Sequence, residues 1–372
     1  MKSKNPETGE TVSTPHSSLL TSHSICAQRA LIVAPSWIGD TLMAQTLFMR
    51  LRQYYPEQQL DVLAPHWVAP ALRRMPEVSQ IIDNPFVHGQ LALPARYRLS
   101  RQLAKNGYQR AYVLPNSLKS ALIPWFAGIP ERVGFTGEAR YGLINARHHL
   151  DENVLPLMLE RFAQLAEKPG APLPKPLPYP RIVSTPEQQA AAISALGLAD
   201  SAKAAVFCPG AEYGPAKRWP AQHFATLADQ LAERGYSTWI LGSAKDRIIG
   251  DDIIRLSQRA IPVNLCGTTS LTQAIDLIAA SAFVVCNDSG LMHVAAALDR
   301  PLVAVYGSSS PGFTPPLSSQ AQIIHLNLAC SPCFKRECPL GHFDCLNQLA
   351  PQRVLEACLR PLQPDQLSEV QP

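Results

Sequence analysis

Short apolar runs alternate with helix-period segments along most of this 372-residue chain. In the front half the stretches 30–34, 60–64 and 110–114 look like buried strands, and between the first two Met43, Leu47, Leu51 and Tyr54 recur at helical spacing. In the back half 204–208, 237–241, 283–286 and 302–306 look like strands, separated by helical segments at about 220–234, 245–258, 270–280 and 290–298. Alternation of this kind predicts parallel sheets joined by right-handed crossovers. The chain shows no internal repeat of fixed period.

Between the halves, residues 169–180 contain six prolines. Such a stretch loses half its backbone donors and favours extended polyproline geometry, which makes a semi-rigid linker. The expected organisation is a flexible tail over 1–28, an α/β domain over 29–168 and the linker over 169–180. A second α/β domain follows over 181–350, then a helix and tail over 351–372. The fold class is α/β, with two doubly wound, Rossmann-like domains facing across a cleft. In such sheets ligands bind beyond the carboxyl ends of the strands.

Hydrophobic residues make up 46% of the chain and charged residues 17%, which allows sizeable cores and excludes a disordered protein. The net charge of +4 is too mild for a dedicated nucleic-acid binder, but it is unevenly spread. Residues 29–150 carry 14 Lys/Arg against 7 Asp/Glu, whereas 181–360 carry 14 of each. The front half is therefore the one expected to meet something anionic. No run approaches the roughly 20 apolar residues of a spanning helix. The first 28 residues also lack the apolar stretch of a secretory signal. Nine cysteines without an export signal make a reducing cytoplasm the default compartment.

Dinucleotide, P-loop, zinc-protease and nucleophile-elbow signatures are absent. Chemistry concentrates instead at strand-to-helix turns. The first strand runs into Pro35-Ser36-Trp37-Ile38-Gly39-Asp40, where Gly39 suits a tight turn. Asp40 either caps the following helix or faces the cleft. The strand 204–208 leads into a turn holding Gly210, Gly214, Lys217 and Arg218, with Pro220 suited to open a helix. Amides and a cation at a helix start fit a phosphate; the alternative is an exposed loop with solvated cations. The strand 283–286 leads into Asn287-Asp288-Ser289-Gly290-Leu291-Met292-His293. Its free amides suit a second phosphate or sugar hydroxyls, or else it is a structural cap followed by a core histidine. Gly242-Ser243-Ala244-Lys245-Asp246 closes the strand 237–241 and offers Asp246 to ribose hydroxyls. Three such turns at one sheet edge point to a nucleotide-sugar site.

These stretches, together with Arg74-Met75-Pro76-Glu77-Val78, the run from Leu114 to Leu122 and Gly307-Ser308-Ser309-Ser310-Pro311, resemble the heptosyltransferases of bacterial lipopolysaccharide, glycosyltransferase family 9. The resemblance covers roughly residues 29–360. It implies the GT-B fold and an inverting transfer from ADP-heptose that requires no cofactor. It also implies a lipid-linked acceptor, a heptose already attached to Kdo on lipid A. Peripheral contact with the inner face of the cytoplasmic membrane and no nucleic acid partner follow from that acceptor. By the same resemblance Asp40 is the catalytic base and Lys217 faces the donor diphosphate. The remaining donor residues are Gly39, Gly210, Asp246, Asp288, Ser289, Gly290 and His293, and Asn116, Ser117 and Lys119 lie on the acceptor side. The stretches 36–40 and 116–119 favour the branch that extends heptose. The branch that extends Kdo directly is one alternative. A non-catalytic nucleotide-sugar sensor is another, and the retained Asp40 and Lys217 speak against it. No acidic cluster suits magnesium, so Lys217 and helix amides are expected to take its place.

Cys330, Cys333, Cys338 and Cys345 fall within sixteen residues, with His342 among them. C-x2-C is a common first half of a metal site, but the spacing of the second pair is less typical. A structural metal, free thiols, and disulfide or redox exchange all stay open, as does a zinc- or iron-binding regulatory protein. Nothing in the sequence turns this loop toward the donor. Cys26, Cys208, Cys266, Cys286 and Cys358 are expected to be structural.

Overall fold

The apolar runs become strands of two six-stranded parallel sheets in a computed structural model that describes residues 29–87, 89–198 and 203–360. The expected tails and Cys26 lie outside the described residues. The first sheet holds β1 (Arg29–Val33), β2 (Gln59–Ala64), β3 (Val78–Asp83), β4 (Arg110–Val113), β5 (Glu131–Phe135) and β6 (Ala146–His148), in the order β3-β2-β1-β4-β5-β6. The second holds β7 (Ala204–Cys208), β8 (Ser237–Ile240), β9 (Val263–Asn264), β10 (Phe283–Asn287), β11 (Leu302–Val305) and β12 (Ala321–Ile324), in the order β12-β11-β10-β7-β8-β9. Counted from its own first strand, the second order repeats the first. Two halves without a sequence repeat thus share one doubly wound topology.

The seven strands that the apolar pattern reveals are all inner ones; β7 and β10 are buried at every position. The helix expected through Met43 and Tyr54 is two helices, Ile38–Met43 and Gln45–Tyr54, which meet at Ala44. Met43, Leu47 and Leu51 enter the core, whereas Tyr54 is exposed.

Three hydrophobic clusters form the interior. The largest joins the halves: Ile32, Phe48 and Val62 belong to the same cluster as Val206, Ile275 and Val284. Leu31, Val113 and Ile123 fill the outer side of the first sheet, and Phe207, Phe224 and Val305 that of the second. Fully burying such a side chain is worth ~1.5–3 kcal/mol, so a shared core is a strong tie between the domains. Polar contacts fix their relation further. Arg74 Nη2 donates to both carboxylate oxygens of Asp276, at 2.8 and 3.0 Å, and Ser184 Oγ donates to the same group at 2.7 Å. Residues 169–180 form neither helix nor strand. The segment is nonetheless anchored at its end: Thr46 Oγ1 donates to the Pro178 carbonyl at 2.9 Å. The Gln45 amide also exchanges two hydrogen bonds with the Arg181 backbone, at 2.7 and 2.8 Å. The last described helix, Pro351–Leu359, buries Val354 and Leu355 in the outer core of the second half.

Candidate active site

The shared strand order creates two switch points, β1 beside β4 and β7 beside β10, where the chain leaves in opposite directions and a crevice opens at the carboxyl ends. Every predicted site residue lies at such an end. Gly39 and Asp40 follow β1, and Asn116, Ser117 and Lys119 follow β4. Gly210 and Lys217 follow β7, Asp246 follows β8, and Asp288, Ser289, Gly290 and His293 follow β10.

The two crevices meet. The backbone at Gly39 passes so close to His293 that a Cβ there would stand 2.6 Å from the imidazole Cδ2. A Cβ on Gly290 would stand 3.2 Å from that of Ile38. These glycines let the N-terminal ends of helices Ile38–Met43 and Gly290–Ala297 touch, which brings two partial positive charges together. His293 is buried, and burial above all pushes its pKa down to about 4. It is therefore neutral at pH 7 and adds no charge to the crevice.

Asp40 does not cap its helix. Trp37 occupies the cap position and no side chain bonds the free amides, so the capping alternative fails. Asp40 sits instead in the first turn with its pKa raised to about 6, first by burial and then by the like charge of Asp288, with Lys217 opposing the shift. The carboxylate of one domain thus feels two charges from the other. Lys217 Nζ donates to Asp288 Oδ2 at 2.5 Å and lies 5.2 Å from the centre of the Tyr213 ring. The solvated-cation alternative fails for Lys217, whose side chain is only 18% exposed.

Asn287 is a residue that pattern reading missed. It is fully buried, accepts from the Trp219 amide at 3.0 Å and donates to the Pro209 carbonyl at 2.6 Å. It thereby stitches the turn after β7 to the turn after β10. Its position beside Asp288 was the available signal. Asp246 is buried and accepts from Ser243 N at 2.9 Å and Ser243 Oγ at 2.7 Å, both through Oδ2. Gly210 packs on that carboxylate so tightly that a Cβ would lie 2.4 Å from its carbon. Across the cleft, Asn116 Oδ1 accepts from Arg140 Nη2 at 3.0 Å, and the Pro115 carbonyl from Nη1 at 3.0 Å. Arg140 is buried, which lowers its pKa, and as a lone loop arginine it gave no sequence signal. Ser117 caps the helix Leu118–Phe126.

The cysteine loop packs against the turn that carries Lys217, a contact that nothing in the sequence indicated. The Arg336 carbonyl accepts from Ala216 N at 3.1 Å, and Arg336 Nε donates to the Tyr213 carbonyl at 2.7 Å. Tyr213 in turn donates its hydroxyl to the Phe334 carbonyl at 2.8 Å. The loop braces the turn that presents Lys217. Ser308, whose amide donates to the Ala216 carbonyl at 3.2 Å, and Ser309 hold buried hydroxyls without a partner among the described residues. Cys330, Cys333, Cys338 and Cys345 line one small cavity with His342, and each is a free thiol. Burial pushes the Cys345 thiol up. Among the described residues no three of these side chains stand together as metal ligands.

The model of the family described as glycosyltransferase family 9 (heptosyltransferase) matches residues 96–344. The chain belongs to glycosyltransferase family 9. Its geometry agrees, since two six-stranded parallel domains facing across a crevice are the GT-B arrangement. Over 336 residues this family 9 glycosyltransferase is 48% identical to a lipopolysaccharide heptosyltransferase 2 of Salmonella typhimurium, covering 88% of this chain and 97% of the relative. The solved structure of an Escherichia coli ADP-heptose lipopolysaccharide heptosyltransferase II superposes with a TM-score of 0.81 at 45% identity, over 89% of this chain and 97% of that one. A lipopolysaccharide heptosyltransferase 1 of Pseudomonas aeruginosa is more distant, 32% identical over 38% of this chain and 44% of the relative.

Proposed function

We propose that this glycosyltransferase moves heptose, with inversion, from ADP-heptose to the first heptose of the Kdo–lipid A inner core in lipopolysaccharide biosynthesis. The observation that carries the reading is the partly shielded, untied Asp40 facing the Lys217–Asp288 pair across the crevice. Asp40 accepts the proton of an acceptor hydroxyl as its oxygen attacks the anomeric carbon. The bond from that carbon to the diphosphate oxygen breaks, and ADP leaves with the electron pair. A positioned base contributes ~10²–10⁴ to such a rate. Lys217 and the amides at Ser289 and Gly290 stabilise the departing diphosphate, each such donor contributing ~10²–10³. No step needs a metal or cofactor.

Asp288 holds Lys217 in place and keeps Asp40 basic. Gly39, Gly210 and His293 shape the donor pocket by close packing, and Asp246 meets the ribose through Oδ1, which Ser243 leaves free. On the other side Asn116, Ser117 and Lys119 receive the acceptor, with Arg140 fixing Asn116. The excess positive charge of residues 29–150 suits a phosphorylated, carboxylated lipid at the inner face of the cytoplasmic membrane. Among the described residues no helix is long and apolar enough to cross a membrane, so the contact is peripheral in this reading. An assay with ADP-heptose and defined acceptors tests it: the heptosyl-Kdo lipid should be used in preference to the Kdo-only lipid. The opposite preference would move the chain to the branch that extends Kdo.

A further inference from the structure

Residues 84–130 contain no Asp or Glu but six Lys/Arg, an uninterrupted acid-free stretch inside the more basic half. Its described residues include the helix Leu93–Leu103, β4 and the helix Leu118–Phe126. The two helices cover the outer side of the first sheet through Leu99, Leu103, Ala121 and Ile123. Tyr97 meets Phe126 edge-on with ring centres 5.5 Å apart, so the helices lie side by side. Their outward surface is apolar where a water-facing surface would be polar: Leu91, Leu93, Tyr97 and Trp125 are each 43–50% exposed. Leu93 and Tyr97 stand one helical turn apart on the same stripe. Arg98, Arg101 and Lys105 are exposed around them and make no ion pair among the described residues. In the second half exposed Arg255 is paired with Asp252 and Arg259 with Glu233, whereas Arg234 and Arg353 make no ion pair among the described residues. The loop that carries Leu91 is held in place: Arg96 is buried, donates to the Leu91 carbonyl at 2.7 Å and stacks 4.0 Å above Phe86.

We propose that this face, helices Leu93–Leu103 and Leu118–Phe126 with the loop before them, docks the enzyme on an anionic lipid bilayer. Half-exposed leucines and aromatic rings flanked by unpaired arginines and lysines fit the boundary of headgroups and acyl chains. A nucleic-acid backbone would use the cations but leave Leu91 and Leu93 in water. The helix Leu118–Phe126 begins at the acceptor turn, so the docked face and the acceptor side share one element. The proposal rests on the reading of a lipid-linked acceptor, yet its test needs no acceptor. Co-sedimentation of the full chain is measured with vesicles of phosphatidylethanolamine and phosphatidylglycerol, and with phosphatidylcholine alone. Binding to the anionic vesicles only, weakened by salt, is expected. The double variant R98E/R101E should lower partition by ~10-fold or more, and Tyr97→Ser should lower it less. Transfer to a de-acylated, water-soluble acceptor should be unchanged in both. The control R255E/R259E should bind vesicles as the parent does. Equal binding to both vesicle types, parental binding by R98E/R101E, an equal loss in the control, or tighter binding to duplex DNA than to vesicles would each overturn the proposal.

Discussion

The two crevices share one strand order but hold their charged groups differently. Around the second switch point the named side chains are tied: Asn287 joins two turns, Lys217 is paired with Asp288, and Asp246 is bonded to Ser243. At the first, Asp40 has no capping bond and its pKa rises to about 6. A site that must stabilise charge developing on a leaving group benefits from donors fixed in advance. A base works only if its proton affinity is left unspent. In the proposed mechanism one topology serves both tasks because the turns, and not the sheets, differ.

The comparison is broken most severely by Asp40→Asn. Asn keeps the shape but cannot accept the proton, so turnover should fall by ~10²–10⁴ while donor affinity in calorimetry stays parental. Retention of more than about a tenth of the rate would refute the base assignment. The same variant has a stability signature. Because the folded pKa is raised from the ordinary aspartate value of about 3.9 to about 6, ionised Asp40 costs stability above that range. The variant should melt at or above the parent at pH 8, and the difference should vanish below about pH 4.

Lys217→Ala removes the fixed cation of the other crevice. Rate should fall by ~10²-fold, and here donor affinity should fall with it. An unchanged affinity and rate would place Lys217 outside the diphosphate site. Asn287→Ala acts through structure: it strands the buried Trp219 amide and Pro209 carbonyl, at ~1–3 kcal/mol for each unsatisfied group. Denaturant unfolding should register that loss, and donor KM should rise more than acceptor KM. The smallest effect is expected for Cys330→Ser with Cys333→Ser. These residues line the brace behind the Lys217 turn, so stability should drop by no more than about 1 kcal/mol and donor KM should change a few-fold. A stoichiometric metal whose removal abolishes transfer in a folded enzyme would contradict that.

What was legible in the sequence follows the same division. Strands buried on both faces appear as continuous apolar runs, as in β7 and β10. The edge strand β3 has no fully buried position, and β9 is two residues long, so neither leaves such a run. The positions of Asp40, Lys217 and Asp288 at the carboxyl ends of strands were legible because charged residues at strand-to-helix turns are conspicuous. Arg140 and the bracing cysteine loop were not, since each acts through partners far away in the chain. The cap alternative for Asp40 could be decided only by seeing Trp37 at the cap position.

The central claim, a carboxylate of one domain kept basic by burial and by the opposite domain, is tested most directly by the pH dependence of kcat/KM in the parent beside Asp40→Asn. The parent should lose activity tenfold per unit on the acid side, with an apparent pKa near the value of about 6 given by its surroundings. The small residual rate of the variant should lack that limb. A parent profile flat down to about pH 4.5, or the same limb persisting in Asp40→Asn, would contradict the account.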